Sequence, residues 1–191
     1  CMTFSAVPAV YAAGDGAGSS DIDGHWAKTA LEEFIKDGYL NGDGNGNYMP
    51  NGTMTRAQFS AIVNRILQYK DESADISKYK DVSASAWYRA DLAKALAAAY
   101  LSGTSADTMS PEASITREQT FVILARILKL DTTDTSALDA YADAADVSDW
   151  AKGSVAALIK AGYVSGDDNK KINPKKALTR AEGVTVLNRS K

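Results

Sequence analysis

Apolar residues recur at helical spacing in six segments of the chain, and these segments form three similar pairs. The first segment of each pair opens with a tryptophan, and the second carries one apolar stripe. The stripes are Phe59, Ile62, Val63, Ile66 and Leu67 in the first pair, Ile123, Leu124, Ile127 and Leu128 in the second, and Val184, Val186 and Leu187 in the third. The pattern predicts six helices and an all-α fold.

The second helix of each pair has a clear start signal. Thr55 is followed three residues later by Gln58, which is the pattern of a capping box. The equivalent pairs are Thr116 with Gln119 and Thr179 with Glu182. The first helix is predicted to end at Gly38 and Gly162, because glycine suits the left-handed residue after a helix. The middle copy has Ala99 there, so we expect its helix to end differently.

The three pairs are copies of one unit. Each tryptophan is followed after 13 residues by a tyrosine, after 16 by a glycine, after 24 by a proline, after 29 and 30 by Thr-Arg, and after 39 by another arginine. The copies are Trp26, Tyr39, Gly42, Pro50, Thr55, Arg56 and Arg65; Trp87, Tyr100, Gly103, Pro111, Thr116, Arg117 and Arg126; and Trp150, Tyr163, Gly166, Pro174, Thr179, Arg180 and Arg189.

Each copy is a predicted helix–loop–helix of about 50 residues, which is too small to build a good core alone. The three copies must therefore bury their apolar stripes against one another. We predict a first repeat at residues 21–75, a second at 76–138 and a third at 139–191.

Residues 1–20 are expected to lie outside this fold. Residues 1–13 are apolar and uncharged, and Val10 and Ala12 are placed as at a signal-peptidase site. We interpret them as the tail of a secretory signal, followed by a flexible lead-in; the alternative is a flexible end added to the chain. The first interpretation predicts export.

Composition excludes several function classes. The net charge is −3 and no run of Lys or Arg exceeds two residues, which disfavours a nucleic-acid partner. No stretch reaches the roughly 18 apolar residues of a membrane span. Cys1 and His25 are the only cysteine and histidine, which removes disulfide frameworks and most catalytic and metal sites. The repeats fill the chain after residue 20, so we expect neither an enzyme nor a cofactor.

Arg56, Arg117 and Arg180 are the best site candidates from physical chemistry. Each occupies the first position of a helix, where the helix dipole disfavours a cation. An arginine beside free backbone N–H groups makes a strong site for a carboxylate or phosphate. The alternative is a structural bridge to an acidic neighbour. The second arginine set, near the end of each second helix, is interpreted as structural.

Other motifs have two interpretations. The three tryptophans suit stacking on sugar rings, or packing in the core between repeats; the tyrosines pack inward or offer a hydroxyl to a ligand. Residues 41–47 alternate oxygen-bearing side chains with glycine but lack the glutamate that closes a calcium loop, so we interpret them as a turn. His25 is interpreted as an exposed residue at a helix entry.

In sequence order these motifs resemble the S-layer homology domain. The first copy reads HWA, GYLNGDGNGNYMP and MTRAQ; the second reads WYRADL, AYLSG, MSP and ITREQ; the third reads DWAKGSV, GYVSGDD, INP and LTRAE. The resemblance covers residues 21–191. It implies three repeats packed with pseudo-threefold symmetry around a central helical bundle.

The resemblance also implies a function. Such domains anchor a protein non-covalently to the secondary cell wall polysaccharide attached to peptidoglycan, often a polymer ending in pyruvylated N-acetylmannosamine, held in grooves between repeats. The resemblance also implies that the protein is secreted and located on a bacterial cell wall. The alternative is a structural module for self-assembly or for docking other surface-layer subunits. The implied ligand-binding residues are Arg56, Arg117, Arg180, Trp26, Trp87, Trp150, Asp21, Asp81 and Asp146.

The chain departs from the family pattern at two kinds of position. Gln58 and Gln119 replace the usual glutamate but preserve the cap. Glu118 replaces the usual alanine beside Arg117, so we expect it to compete for that guanidinium and weaken the second groove.

Overall fold

The computed structural model describes residues 21–190 and shows a helical protein. Its helices are α1 (Lys28–Lys36), α2 (Arg56–Leu67), α3 (Arg89–Ala97), α4 (Arg117–Ile127), α5 (Asp149–Lys160) and α6 (Arg180–Arg189), with 3₁₀ helices at Ser136–Ala140 and Ala144–Asp146. Within residues 21–190 the only extended pairings are isolated antiparallel bridges. The predicted all-α class is confirmed, whereas the predicted signal remnant lies outside the described residues.

All three predicted capping boxes are present. The Thr55 hydroxyl accepts a hydrogen bond from the Gln58 amide at 3.1 Å, and the Gln58 side chain accepts one from the Thr55 amide at 3.0 Å. The same reciprocal pairs begin α4 at Thr116 and α6 at Thr179. The start of each second helix is therefore set by local sequence.

The first helix of each repeat ends in the same way, and the expectation of a different end in the middle copy is wrong. Gly38 and Gly162 have φ values of 73° and 79°, and Ala99 has a φ of 58°. Ala99 thus adopts the left-handed conformation that glycine adopts in the other two repeats. A side chain in this conformation costs about 1–2 kcal/mol, which the surrounding fold must offset.

Helices pack between repeats in a closed cycle. α2 of the first repeat packs on α3 of the second, α4 of the second on α5 of the third, and α6 of the third on α1 of the first. Most of the predicted stripe is buried, including Phe59, Ile62 and Val63 of α2 and Ile123 and Leu124 of α4, whereas Leu67 at the end of α2 is 38 % exposed. Each repeat therefore contributes one helix to each of two packed pairs, and the other helix of each pair comes from a neighbouring repeat.

Three backbone hydrogen bonds close a second ring at the centre of the molecule. The Met54 amide donates to the Leu178 carbonyl at 3.0 Å, the Leu178 amide to the Ile115 carbonyl at 2.8 Å, and the Ile115 amide to the Met54 carbonyl at 2.9 Å. All three residues are at most 1 % exposed. Each repeat is thus tied to both of the others directly before its second helix begins.

A fragment that ends before Tyr141 should lose cooperative folding. Without the third repeat, α1 and α4 each lose the helix on which they pack, and two of the three central hydrogen bonds cannot form. We expect aggregation or a broad melting transition, measured by size-exclusion chromatography and circular dichroism. A monomeric fragment with one sharp transition would contradict the shared core.

Ala99→Gly should stabilise the protein by about 0.5–1 kcal/mol, because relief of the left-handed alanine outweighs the extra chain entropy of glycine. The control is Ala93→Gly in the middle of α3, which should destabilise by at least about 1 kcal/mol. Chemical denaturation of both variants measures the free energies of unfolding. A loss of stability in both would show that Ala99 is not strained.

Candidate ligand-binding grooves

The arginine at the start of each second helix reaches into the next repeat. Arg56 is 5 % exposed; its Nε donates to the Met109 carbonyl at 2.9 Å and its Nη2 to the Ser102 carbonyl at 2.9 Å. The equivalent bonds are Arg117 Nε to the Ile172 carbonyl, Arg180 Nε to the Tyr48 carbonyl and Arg180 Nη2 to the Asn41 carbonyl. These guanidinium groups therefore join neighbouring repeats.

The helix-start amides beside these arginines are already occupied. The Arg56 amide donates to the Ala113 carbonyl and the Ala57 amide to the Pro111 carbonyl, each at 3.0 Å. The same bonds join α4 to Lys176 and Pro174, and α6 to Gly52 and Pro50. The expectation of free backbone N–H groups at these helix starts is wrong, because carbonyls of the next repeat satisfy them. Anion recognition there must rely on side chains.

The arginine side chains are buried cations with an acidic neighbour. Burial lowers the pKa of Arg56, and the charge of Asp81 partly restores it. Burial likewise lowers the pKa of Arg180, against the charge of Asp21. Arginine nevertheless remains protonated at physiological pH, because its guanidinium is not deprotonated in proteins. Each interface between repeats therefore holds a permanent positive charge.

The aspartate at the start of each repeat holds the segment that the arginine contacts. The Asp81 carboxylate accepts hydrogen bonds from the Met109 amide at 2.9 Å and the Ser110 amide at 2.7 Å. Asp21 holds the amides of Tyr48 and Met49 in the same way. Ser110 and Met49 precede the proline of each repeat and have φ values of 49° and 50°. Each carboxylate thus holds a residue in the left-handed conformation. It also orients the carbonyl of the residue before it toward the arginine.

In the third repeat this aspartate is Asp143, and the assignment to Asp146 is corrected. Asp143 is buried and accepts from the amides of Ile172 at 2.8 Å and Asn173 at 2.7 Å. Asp146 is exposed at the end of a 3₁₀ helix. The sequence pattern favoured Asp146 because it directly precedes the apolar residue Val147, just as Asp21 precedes Ile22 and Asp81 precedes Val82.

Groove one is a cavity of about 360 Å³ built by all three repeats. The first repeat contributes Arg56, the second contributes the loop 100–104 and one face of α4, and the third contributes Trp150. The α4 residues in the lining are Gln119, Val122, Ile123 and Arg126. The groove thus combines a cationic side, an apolar floor and an aromatic side chain.

Groove two has the same construction one repeat further on, with a volume of about 270 Å³. It is lined by Arg117 of the second repeat, Trp26 of the first, and the loop 163–167 and α6 of the third. A third set of equivalent groups surrounds Arg180. Arg180 contacts the Asn41 carbonyl as Arg56 contacts Ser102, and Arg65 donates to the Tyr39 carbonyl as Arg126 donates to Tyr100.

The three tryptophans lie on the surface. Trp26, Trp87 and Trp150 are 66 %, 53 % and 59 % exposed, so they do not pack in the core as one of the two interpretations had it. Ligand pockets are commonly lined by aromatic side chains, so an exposed tryptophan beside a cavity is a candidate for ligand contact. Trp26 lines groove two and Trp150 lines groove one. Trp87 lies two residues before α3, as Trp26 lies two residues before α1.

The tyrosines and the second arginines take different positions. Tyr100 is buried, its hydroxyl donates to Asn64 at 2.8 Å, and burial raises its pKa. Tyr39 and Tyr163 are only partly buried. Arg126 and Arg189 were interpreted as structural, but they are exposed and line grooves one and two. The signal for them was their constant distance of 39 residues from the tryptophans.

Glu118 does not compete for Arg117, and that expectation is corrected. Glu118 is buried, accepts hydrogen bonds from the amide and hydroxyl of Ser148, and pairs with Lys175 at 2.6 Å. The carboxylate beside Arg117 is that of Glu182, 3.7 Å from Nη1. The sequence neighbour points away because consecutive helix residues face different directions.

The loop 41–47 is a turn organised by Asp43. Its carboxylate accepts hydrogen bonds from the amides of Asn45 and Asn47 and from the Asn47 side chain. Within residues 21–190 the structure has no cluster of three acidic, histidine or cysteine side chains that could hold a metal ion.

His25 stands at the entry to α1 and is half-buried, and its ring Nδ1 accepts a hydrogen bond from the Ala27 amide. No described helix is long and apolar enough to cross a membrane.

Comparison with known proteins supports one family. A model of the S-layer homology domain matches residues 20–60, 78–121 and 140–182. The chain is 33 % identical over 174 residues to an amylopullulanase of Thermoanaerobacterium thermosulfurigenes, covering 88 % of this chain and 9 % of that protein. It is 32 % identical over 174 residues to the exoglucanase XynX of Acetivibrio thermocellus, covering 88 % of this chain and 16 % of that protein.

A third relative is a surface-layer protein. The chain is 30 % identical over 168 residues to the surface-layer 125 kDa protein of Lysinibacillus sphaericus, covering 86 % of this chain and 14 % of that protein. The chain thus spans between 9 % and 16 % of the length of these three relatives. The shared part is a small module in proteins of different overall activity.

Asp143→Asn should destabilise the protein by about 2 kcal/mol, because it replaces two charge-assisted hydrogen bonds and sets an amide N–H₂ against backbone donors. Asp146→Asn is the matched control and should change the free energy of unfolding by less than about 0.5 kcal/mol. Urea denaturation compares the two variants. Equal losses would contradict the assignment of Asp143 as the equivalent of Asp21 and Asp81.

Proposed function

The chain belongs to the S-layer homology domain family, and from this premise we propose that it anchors a larger protein to the wall by binding an anionic secondary cell wall polysaccharide in its grooves. The family is a cell-wall anchoring module rather than a catalytic one, and it places the chain at the cell surface or in the cell wall. The polymer we propose carries pyruvylated sugars, whose ketal adds a carboxylate to a sugar ring.

The observation that carries this proposal is the pairing of an exposed tryptophan with a buried arginine in one groove. In groove one, Trp150 offers an aromatic face on which the C–H groups of a sugar ring can pack. Arg56 uses Nε and Nη2 to hold the next repeat, and its Nη1 has no hydrogen-bond partner among the described residues. We propose that Nη1 donates to the carboxylate of the bound sugar.

Arg117, Arg180, Trp26 and Trp87 are proposed to take the same roles in the other two positions. The aspartates act differently, since both oxygens of Asp21 accept backbone amides. We propose that Asp21, Asp81 and Asp143 act by holding the loop segments that the arginines contact. Asp146 is exposed, and we do not propose that it holds such a segment.

Affinity is proposed to come from several grooves on one polymer chain. A single groove offers one charge-assisted hydrogen bond, typically about 1.5–3 kcal/mol, and one aromatic contact of roughly 1 kcal/mol. A polymer that occupies a second groove does so intramolecularly, at a high effective concentration. Modest single sites can therefore give lasting attachment to the wall.

Wall binding should depend on the exposed tryptophans without a change in stability. We expect Trp150→Ala to weaken binding about fivefold, as the loss of roughly 1 kcal/mol requires. Replacement of Trp26, Trp87 and Trp150 together should abolish binding. The measurement is sedimentation of the purified protein with cell walls, beside a thermal melt of each variant.

Leu67→Ala is the control, since Leu67 is an exposed apolar residue outside the lining of grooves one and two. It should bind walls like the unaltered protein. Walls whose secondary polymer has been removed by acid should bind none of these proteins. Binding to stripped walls, or full binding by the folded triple variant, would contradict the proposal and favour docking to other surface-layer subunits.

A further inference from the structure

Grooves one and two have the same construction but different charge. The charged residues lining groove one are Arg56 and Arg126, and no carboxylate joins them. Groove two is lined by Arg117 and Arg189 together with Asp167 and Glu182. The first groove therefore carries two positive charges in its lining, and the second carries two of each sign.

The difference arises at two equivalent positions. Glu182 in α6 corresponds to Gln119 in α4, because each is the third residue of its helix and closes the capping box. Asp167 follows Gly166 as Thr104 follows Gly103. At both positions groove one has a neutral side chain and groove two has an acid.

Glu182 is ionised and lies close to the arginine of its groove. Its carboxylate is 3.7 Å from Arg117 Nη1, the same nitrogen that is unpaired in Arg56. Burial raises the pKa of Glu182, but the Thr179 amide and the charges of Arg117 and Lys176 lower it below its ordinary value. Lys176 also pairs with Glu182 at 3.4 Å but does not line the groove. A bound carboxylate would meet this negative charge.

The charges around the two arginines agree with this difference. The charges of three carboxylates, those of Glu182, Asp143 and Asp167, raise the pKa of Arg117 against the effect of burial. For Arg56 only the charge of Asp81 does so. At the effective dielectric constant of about 20 near a protein surface, opposite charges a few ångströms apart still attract each other appreciably. The positive charge of Arg117 is thus partly compensated before any ligand arrives.

Groove two also contains an unused hydroxyl. The Thr185 Oγ1 is buried and has no hydrogen-bond partner within residues 21–190. Thr185 lines groove two, and the equivalent residue in groove one is Val122. Buried polar atoms normally have a partner, and a sugar hydroxyl is a suitable one.

We infer that groove one binds an acidic sugar residue about tenfold more tightly than groove two, whose carboxylates and free Thr185 hydroxyl favour contacts to sugar hydroxyls instead. This inference rests on the proposed function, since it concerns how different grooves bind one wall polymer. Gln119 and Glu182 are the specificity-determining residues. The grooves would then differ in their affinity for the same acidic sugar, and groove one would be occupied first.

The three tryptophans provide a separate signal for each groove. In a ¹H–¹⁵N NMR spectrum of the full chain, the indole N–H of Trp150 reports groove one and that of Trp26 reports groove two; single Trp→Phe variants assign them. The probes are sodium glucuronate and methyl β-glucoside. We expect glucuronate to shift the Trp150 signal at about tenfold lower concentration than the Trp26 signal, and the glucoside to lack this preference.

Exchange of the two specificity-determining residues should exchange the preference. Glu182→Gln should raise the glucuronate affinity at Trp26 about tenfold and leave Trp150 unchanged. Gln119→Glu should lower the affinity at Trp150 by a similar factor. Both substitutions keep a side chain that closes the capping box in another repeat, so the fold should persist, as a thermal melt of each variant checks.

Equal glucuronate responses at Trp26 and Trp150, no response at Trp150, or no effect of Glu182→Gln on Trp26 would overturn the inference. Sedimentation of the unaltered protein with native walls is measured in parallel. If walls are bound but the two signals respond equally, the inference fails and the proposed function stands. If walls are not bound, the proposed function fails, and the assignment of wall sugars to grooves fails with it.

Discussion

The fold depends on a ring of three backbone hydrogen bonds that no repeat can form alone. Met54, Ile115 and Leu178 each donate to one neighbouring repeat and accept from the other. These groups are fully buried, so an amide left without its partner would cost about 1–3 kcal/mol. The three repeats are therefore coupled in two ways. Their apolar stripes are buried together, and the buried amides of each repeat need carbonyl partners from the others.

The binding grooves follow from this ring. Arg56 comes two residues after Met54, and the first amides of α2 donate to carbonyls of the second repeat. The arginine is thereby directed out of its own repeat and into the next, where Asp81 has fixed the acceptor segment. A tryptophan from the remaining repeat completes groove one. Each of the two grooves thus needs all three repeats in place, although its charge is set by single residues such as Gln119 or Glu182.

The sequence predicted what depends on local spacing. The capping boxes were predictable because their two residues are three positions apart, and the repeats because six features kept one register. Partners outside the repeat were not predictable. The helix-start amides were expected to be free, yet Pro111 and Ala113 lie more than 50 residues along the chain. Asp143 was missed for a related reason. Its role is to bind the backbone amides of a distant loop, which the sequence does not show. Asp146 precedes an apolar residue, as Asp21 and Asp81 do, and was therefore chosen instead.

The cycle of helix contacts makes the three interfaces unequal in one respect. The peptide chain runs directly from the first repeat to the second and from the second to the third, but the contact of α6 with α1 joins segments far apart in sequence. The first two interfaces keep their partners at high local concentration even when they separate, whereas the third is restored only by closure of the whole chain. The α6–α1 contact therefore has the largest loop-closure entropy to overcome each time it forms. Its stability depends on the whole chain between the two helices being folded.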